Sequence, residues 1–403
     1  MKIRRCRITA LMLSAALLLG GCGSTAASGG NSGNNSAGAD VTKDKTKDAA
    51  DKTKKAPEIE GLTYEATMDL TYATEFDVYY YKDGYKLIDV HEDKQYLIVP
   101  EGKEEPEDLE DDIVVIRQPT ENIYMAATAS MSLFDAIGGI DKVKFSGLEA
   151  SGWYVESAKE AMESGAMTFA GKYSEPDYET LVDGDCDLAI ESTMILHTPK
   201  VQEMIEDLGI PVFVDYSSYE SHPLGRTEWI KLYGVLTGKE AEANAFFEKQ
   251  QETVAAFDDY ESTGKKAAFF YLTTDGKVVV RSTSDYVPSM IKMAGGDYAF
   301  EGVTDEDGKT SVSMTMESFY EKAQDADYII YNASIDASVK TIADLIEKDE
   351  VLKEFKAVKS GDCYTTGSSM YQRTDVIADM IADFHKVFTG QDTEHLEFLK
   401  KME

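Results

Sequence analysis

Hydrophobic residues along this chain fall into short runs that switch between two periods. Strand-length apolar segments bounded by Gly, Pro, Asn or Asp alternate with segments whose apolar residues recur at helical spacing. The opening is β-rich. "FDVYYYKDGYKLIDV" alternates and turns at Lys82-Asp83-Gly84, and "KQYLIVP" follows as another strand, ended by Pro100. Beyond it, "IVVI" (113–116) predicts a strand, "IYMAATASMSLFDAIGG" (123–139) a helix, "DKVKFSG" a strand and "YVESAKEAMESG" a helix. "MTFAG", "PDYETLV", "CDLAI", "TPKVQEMIEDLG" and "IPVFV" continue the alternation. Such a pattern predicts βα units around a largely parallel sheet.

A longer helical stretch follows, "GKEAEANAFFEKQQETVAAFDDYE", bracketed by Gly238 and Gly264, and the alternation then restarts from "KKAAFFYLT" to "DVIADMIADFHKVF". The expected fold class is α/β: two Rossmann-like lobes joined by a single long helix, with an extra N-terminal β-rich segment. The expected boundaries are an N-terminal lobe over 58–237, carrying the β-rich extension at about 60–105, a connecting helix over 238–262 and a C-terminal lobe over 263–403.

What precedes residue 58 changes the picture. "MKIRRCRITALMLSAALLLGGC" has basic residues, an apolar run from Ile8 to Leu19 too short to span a bilayer, and then small residues, which is the layout of a secretory signal over 1–21. Residues 22–57 are nearly all Gly, Ser, Asn, Ala, Thr, Lys and Asp, which cannot bury enough surface to offset ordering entropy and read as a flexible tether. The formal charge of −34 becomes −38 once Lys2, Arg4, Arg5 and Arg7 leave with the signal. Acidity of that order argues against nucleic acid as a partner and against broad adhesion to an anionic membrane. Cys186 and Cys363 remain in the folded part, in no metal-ligand spacing, as either one disulfide or two small core residues.

Several stretches resemble known families. "LGGC" at 19–22 resembles the lipobox of bacterial lipoproteins, which implies cleavage before Cys22 and a diacylglycerol on its sulfur. "GKYSEPDYETLVDGDCDLAIEST", "LGIPVFVD…LYGVLTGKEAEANAF" and "VSMTMESFYEKAQDADYIIYN" occur in the order expected of the helical-backbone class of ABC-transporter solute-binding proteins, the group that carries iron-siderophores, haem and cobalamin. The resemblance extends from about 112 to 390. It implies a monomeric, extracytoplasmic protein, lipid-anchored at the outer face of the cell membrane, that serves a permease dimer and its ATPase. It also implies docking through one Glu on each lobe, and the motif positions place these at Glu179 and Glu317. "PDY" stands where the family has "PNL", and the β-rich opening has no counterpart in its usual pattern.

In α/β lobes, ligands meet the loops beyond the carboxyl ends of parallel strands. The loops expected there carry Arg117, Trp153, Tyr154, Tyr219, His222, Arg226, Tyr371 and Arg373. Aromatic faces and guanidinium forks suit a large, flat or anionic ligand. A ferric siderophore is the first expectation, cobalamin the second, and haem the third, with Tyr219 or His222 as an axial ligand. No resident cofactor or metal site is expected: the five His have no pair at ligand spacing on one helix, and GxSxG, HExxH, Walker A and GxGxxG are missing from the sequence. A binding protein rather than an enzyme is therefore expected. The rival readings are a surface lipoprotein enzyme acting on a polymer, and a sensor or scaffold that kept the fold without transport.

Overall fold

The computed structural model describes residues 55–91, 93–257, 261–305 and 309–403. The signal over 1–21, Cys22 and the tether as far as residue 54 lie outside the described residues.

The β-rich opening forms a sheet of its own. β1 (Tyr64–Thr67), β2 (Phe76–Tyr81), β3 (Lys86–Val90), β4 (Gln95–Val99) and β5 (Ile113–Arg117) pair in sequence order, antiparallel except for the parallel β4–β5 pair. The central strands β2, β3 and β4 bury residues on both faces. Phe76, Val78, Ile88, Tyr96 and Ile98 join the main core, while Tyr79, Tyr81, Leu87 and Leu97 form a second cluster under Ile59 and Tyr85. The extension therefore runs to 117 rather than 105. "IVVI" completes this sheet and does not open the α/β alternation, because β4 supplies a parallel neighbour before the lobe begins.

The N-terminal lobe follows with β6 (Ile123–Met125), α1 (Met131–Ala136), β7 (Val143–Ser146), α2 (Glu156–Glu163) and β8 (Thr168–Phe169). A small hairpin of β9 (Gly171–Lys172) and β10 (Glu175–Pro176) leads to α3 (Tyr178–Asp183), β11 (Leu188–Ser192), α4 (Pro199–Asp207) and β12 (Val212–Asp215). The lobe's sheet is parallel in the order β12-β11-β6-β7-β8. The helix expected over 123–139 is split. Ile123, Tyr124 and Met125 are buried between β11 and β7 as a central strand, and helix begins only at Met131. A short, fully apolar run has no period to separate the two.

Two helices then separate the lobes in the chain: α5 (Pro223–Thr237) and α6 (Glu240–Ala255), turned at Gly238, whose φ is +72°. The described part of the helix expected over 238–262 is α6. The helix α5 is the more central, buried from Pro223 to Ile230 and from Leu232 to Leu236. Its Tyr233 packs on Phe134 of α1, and its Thr227 hydroxyl donates to Thr374 O at 3.0 Å. The two helices approach closely at Gly234, where a Cβ would lie 2.9 Å from that of Ala243.

The C-terminal lobe comprises β13 (Lys265–Leu272), β14 (Val278–Arg281), α7 (Tyr286–Met293), β15 (Gly296–Tyr298), β16 (Ser311–Met314), α8 (Met316–Ala323) and β17 (Tyr328–Tyr331). It ends with α9 (Ile342–Lys348), α10 (Lys356–Ser360), β18 (Cys363–Thr365), α11 (Ile377–Thr389) and β19 (Lys400–Lys401). The mixed sheet runs β16-β14-β13-β17-β18-β19, with β15 also on β13.

The loop leading into β2 is fastened by two buried carboxylates, Glu228 in α5 and Glu220 just before it. Glu228 accepts the N–H groups of Thr71, Tyr72 and Ala73 at 2.7–3.0 Å and the Lys231 ammonium at 2.7 Å. Glu220 accepts from the Thr74 and Glu75 amides and from Trp229 Nε1 at 3.0 Å. One loop before β2 thus has its donors satisfied by acids from the other side of the junction.

Cys186, two residues before β11, and Cys363 in β18 are both free and buried, so the core alternative holds. Burial pushes both thiols up to about 12. Neither is expected to react with a maleimide in the native protein, and both should react in denaturant without reductant; a count of labelled thiols by mass checks this.

Candidate functional site

The carboxyl ends of the parallel strands in each lobe carry loops rich in unburied apolar groups. Ten large hydrophobic side chains are exposed among the described residues, and five sit here: Tyr154 after β7, Met194 and Leu196 after β11, Tyr219 after β12 and Ile335 after β17. Half of the exposed large apolar side chains gathering at strand ends marks a recognition surface rather than scattered surface residues.

Beside them the C-terminal lobe supplies a polar cluster. Arg281, the last residue of β14, donates from Nη1 to Ser311 Oγ at 3.0 Å and from Nη2 to the Tyr371 hydroxyl. Asn332 Nδ2 donates to the same hydroxyl at 2.6 Å. Asp285 caps α7 by accepting Val287 N–H at 2.9 Å and lies 3.6 Å from Arg281. From the other side of the junction, α5 brings Arg226 over the Tyr286 ring at 4.2 Å.

The lobes touch at this end. Gln372 bridges them as a peptide would: its Nε2 donates to Gly152 O at 2.8 Å, and its Oε1 accepts Tyr154 N–H at 2.8 Å. Asp375 N–H also reaches Ser132 Oγ at 3.4 Å, and Ser289 Oγ reaches Ser221 O at 3.3 Å. Asp215 holds the β12 loop by accepting from Ser130, Tyr233 and the Ser217 amide.

Of the residues expected in the cleft, Tyr154, Tyr219, Arg226 and Tyr371 stand around this end. Arg117 does not. It pairs with Glu105 at 2.7 Å, and the segment after it runs along the amino ends of β6 and β11, where Glu121 and Asn122 donate to Asp187. Gln118 and Thr120 bond Val235 O and Leu236 O at the far end of α5, which rises about 22 Å over its length. Trp153 is core, 1% exposed, with Nε1 donating to Ser146 Oγ at 2.9 Å. His222 caps α5: its Nδ1 accepts Leu224 N–H at 3.2 Å and its ring stacks on Tyr72 at 4.2 Å. Burial lowers its pKa to about 4, so it is neutral, and the nitrogen engaged as a cap is not open to a metal. Arg373 is held by both oxygens of Asp375 at 2.9 Å. Arg281, Asp285, Asn332 and Gln372 were not anticipated; the signal for Arg281 was a lone Arg ending an apolar strand, "KVVVR".

Glu179 and Glu317 take the same position in the two lobes. Each is exposed in the first turn of a helix, after a cap in which Asp177 accepts Thr180 N–H or Thr315 accepts Ser318 N–H. No group of three His, Cys, Asp or Glu side chains able to hold a metal ion occurs among the described residues.

Residues 127–370 match the family model described as periplasmic binding protein. An uncharacterized lipoprotein of Methanocaldococcus jannaschii is 26% identical over 314 residues, which cover 73% of this chain and 72% of the relative. Among solved structures, a periplasmic haem-binding protein of Vibrio cholerae superposes with a TM-score of 0.53 at 16% identity, covering 65% of this chain and 97% of that one. An Fe3+-hydroxamate transport protein of Saccharomonospora viridis gives 0.51 at 18% identity, covering 67% and 93%. At these identities the likeness to the solved structures is one of fold.

Proposed function

The chain belongs to the periplasmic binding protein family, a family of solute-binding proteins rather than enzymes, and from that premise we propose that it captures a ferric chelate between its lobes for an ABC importer. The observation that carries this reading is the pairing of exposed aromatic and aliphatic side chains on facing strand-end loops with the Arg281–Tyr371–Asn332 cluster beside them. Apolar walls with a few convergent polar groups suit a bulky chelate, with the polar groups setting its orientation. The proposed assembly is a monomer held at the outer face of the membrane by lipid on Cys22, delivering to a permease dimer and its ATPase and docking through Glu179 and Glu317. The lipoprotein name of the Methanocaldococcus relative supports the anchor.

Titration calorimetry of the full chain with ferric chelates, cyanocobalamin and haemin tests the function. Saturable binding of a ferric chelate is expected. Preference for the corrinoid or for haem would move the ligand within the class, and binding of none alongside turnover of a glycan or peptide would overturn the importer reading.

The Gln372 bridge predicts how the ligand is held. Both of its bonds close the cleft and neither needs a ligand atom. Gln372→Ala should therefore raise the ligand's dissociation rate by roughly tenfold, from two lost hydrogen bonds at about 0.5–1.5 kcal/mol each, with a smaller change in association rate. Stopped-flow measurement of both rates checks it.

A further inference from the structure

Two arginines lie where α5 meets the C-terminal lobe, Arg226 buried and Arg281 partly buried, and one carboxylate stands beside both. Arg226 is 7% exposed, stacks on Tyr286, makes no hydrogen bond to the described residues and has its Nε fully buried without a partner. Arg281 donates to Ser311 and Tyr371, yet its Nε is also buried without an acceptor. Asp285 is the acid beside them, and its Oδ1 already accepts Val287 N–H. Counting these three side chains, the junction holds one positive charge in excess. The Tyr371 hydroxyl accepts from both Arg281 and Asn332, which fills its two lone pairs and leaves its own proton without an acceptor among the described residues. A buried cation lacking hydrogen bonds is strongly disfavoured unless an opposite charge arrives to meet it.

We infer that Arg226, Arg281 and the Tyr371 hydroxyl form an oxyanion pocket at the floor of the cleft, and that the captured solute presents a carboxylate there. The inference rests on the solute-binding reading above and narrows it to an acidic chelate. Arg226 comes from α5 and the other two from the C-terminal lobe, so a carboxylate seated among them ties the helix between the lobes to one wall of the cleft. Planar guanidinium forks match a carboxylate through paired charge-assisted bonds, a geometry that a phosphate shares.

The test titrates the full chain with iron(III) citrate, an iron(III) trihydroxamate carrying no net negative charge, citrate alone and inorganic phosphate. It compares the wild type with Arg226→Gln, Arg281→Gln and Tyr371→Phe. The wild type is expected to prefer iron(III) citrate to the uncharged chelate, and either Arg variant to weaken citrate binding roughly 10- to 100-fold, so that the preference over the uncharged chelate is lost. Preference for the uncharged chelate, or a citrate preference that survives both Arg variants, overturns the pocket. Phosphate stabilising the protein as strongly as citrate makes the occupant an inorganic anion and overturns the organic carboxylate. If no ferric chelate binds but citrate still raises the thermal midpoint through Arg226 and Arg281, the ferric reading falls and the pocket stands; no response to any probe overturns both. Should Arg226→Gln fail to fold, Arg226→Lys keeps the charge over Tyr286 but not the fork, and is expected to lose part of the citrate preference; full retention counts against the pocket.

Discussion

Glu228→Ala is expected to cost about 4 kcal/mol of unfolding free energy, a large share of the 5–15 kcal/mol typical of a folded domain. The reason lies in what the carboxylate satisfies. It is fully buried in α5 and accepts three consecutive amides, of Thr71, Tyr72 and Ala73, together with the Lys231 ammonium. Alanine leaves those N–H groups without an acceptor. It also strips Lys231 of its counter-charge, leaving that ammonium to Asp69 O and the face of Phe247. Chain relaxation is restricted because Tyr72 O already sits 3.0 Å from where a Cβ on Gly225 would lie, while Phe76 packs edge-on against Trp229. Urea unfolding of the variant measures the loss. A cost below about 1 kcal/mol would mean that the 71–75 loop is held by packing alone. The same argument makes the β-rich sheet part of the folding unit: deleting residues 55–117 should yield insoluble protein, since the deletion uncovers Trp229 and removes the Thr71–Glu75 amides that Glu220 and Glu228 accept.

How much of this was legible in the sequence follows from where each signal is written. The lobes were legible where a parallel strand is bounded locally by Gly, Pro or Asp and followed by a helix, as in "CDLAI" and "DYIIYN". Short apolar runs were the exception. "IVVI" and "IYM" were misplaced because a short all-apolar run has no polar positions to give it a period, and its sheet is chosen by neighbours elsewhere in the chain. Side-chain roles failed for the same reason of distance. In a chain with 74 acids, nothing local separates Glu220 and Glu228 from the solvated ones. Their donors lie about 150 residues away in sequence. Arg281 ends a strand and reads as reaching solvent, yet it meets Tyr371 across 90 residues, and Gln372 meets Tyr154 across 218. Trp153 looked like a cleft aromatic because its neighbour Tyr154 is one. Ring orientation separates them, and Ser146, seven residues earlier, turns the indole inward.

Replacing Glu179 and Glu317 together by Ala should abolish uptake while leaving ligand affinity within twofold of the wild type. Both carboxylates are exposed, both lie in the first turn of a capped helix, and neither has a partner among the described residues. An acid at a helix N-terminus is favoured by the backbone dipole by only about 0.3–1 kcal/mol, so alanine should leave each helix intact. What it removes is a point charge on each lobe, and an arginine-lined receptor would read the two together. If each charge-assisted contact contributes about 1.5–3 kcal/mol, single variants should lower uptake roughly 10- to 100-fold, and the double variant should reach background. The sites belong to separate lobes and share no partner, so their losses should add in free energy. Transport of labelled ligand into cells expressing the cognate importer, set beside calorimetry of the purified variants, separates docking from binding. Unchanged uptake would strip the two acids of that role, leaving them as favourable helix-terminal charges. A fall in affinity matching the fall in uptake would instead place them on the ligand, and the permease would then have to read some other pair of features on the two lobes.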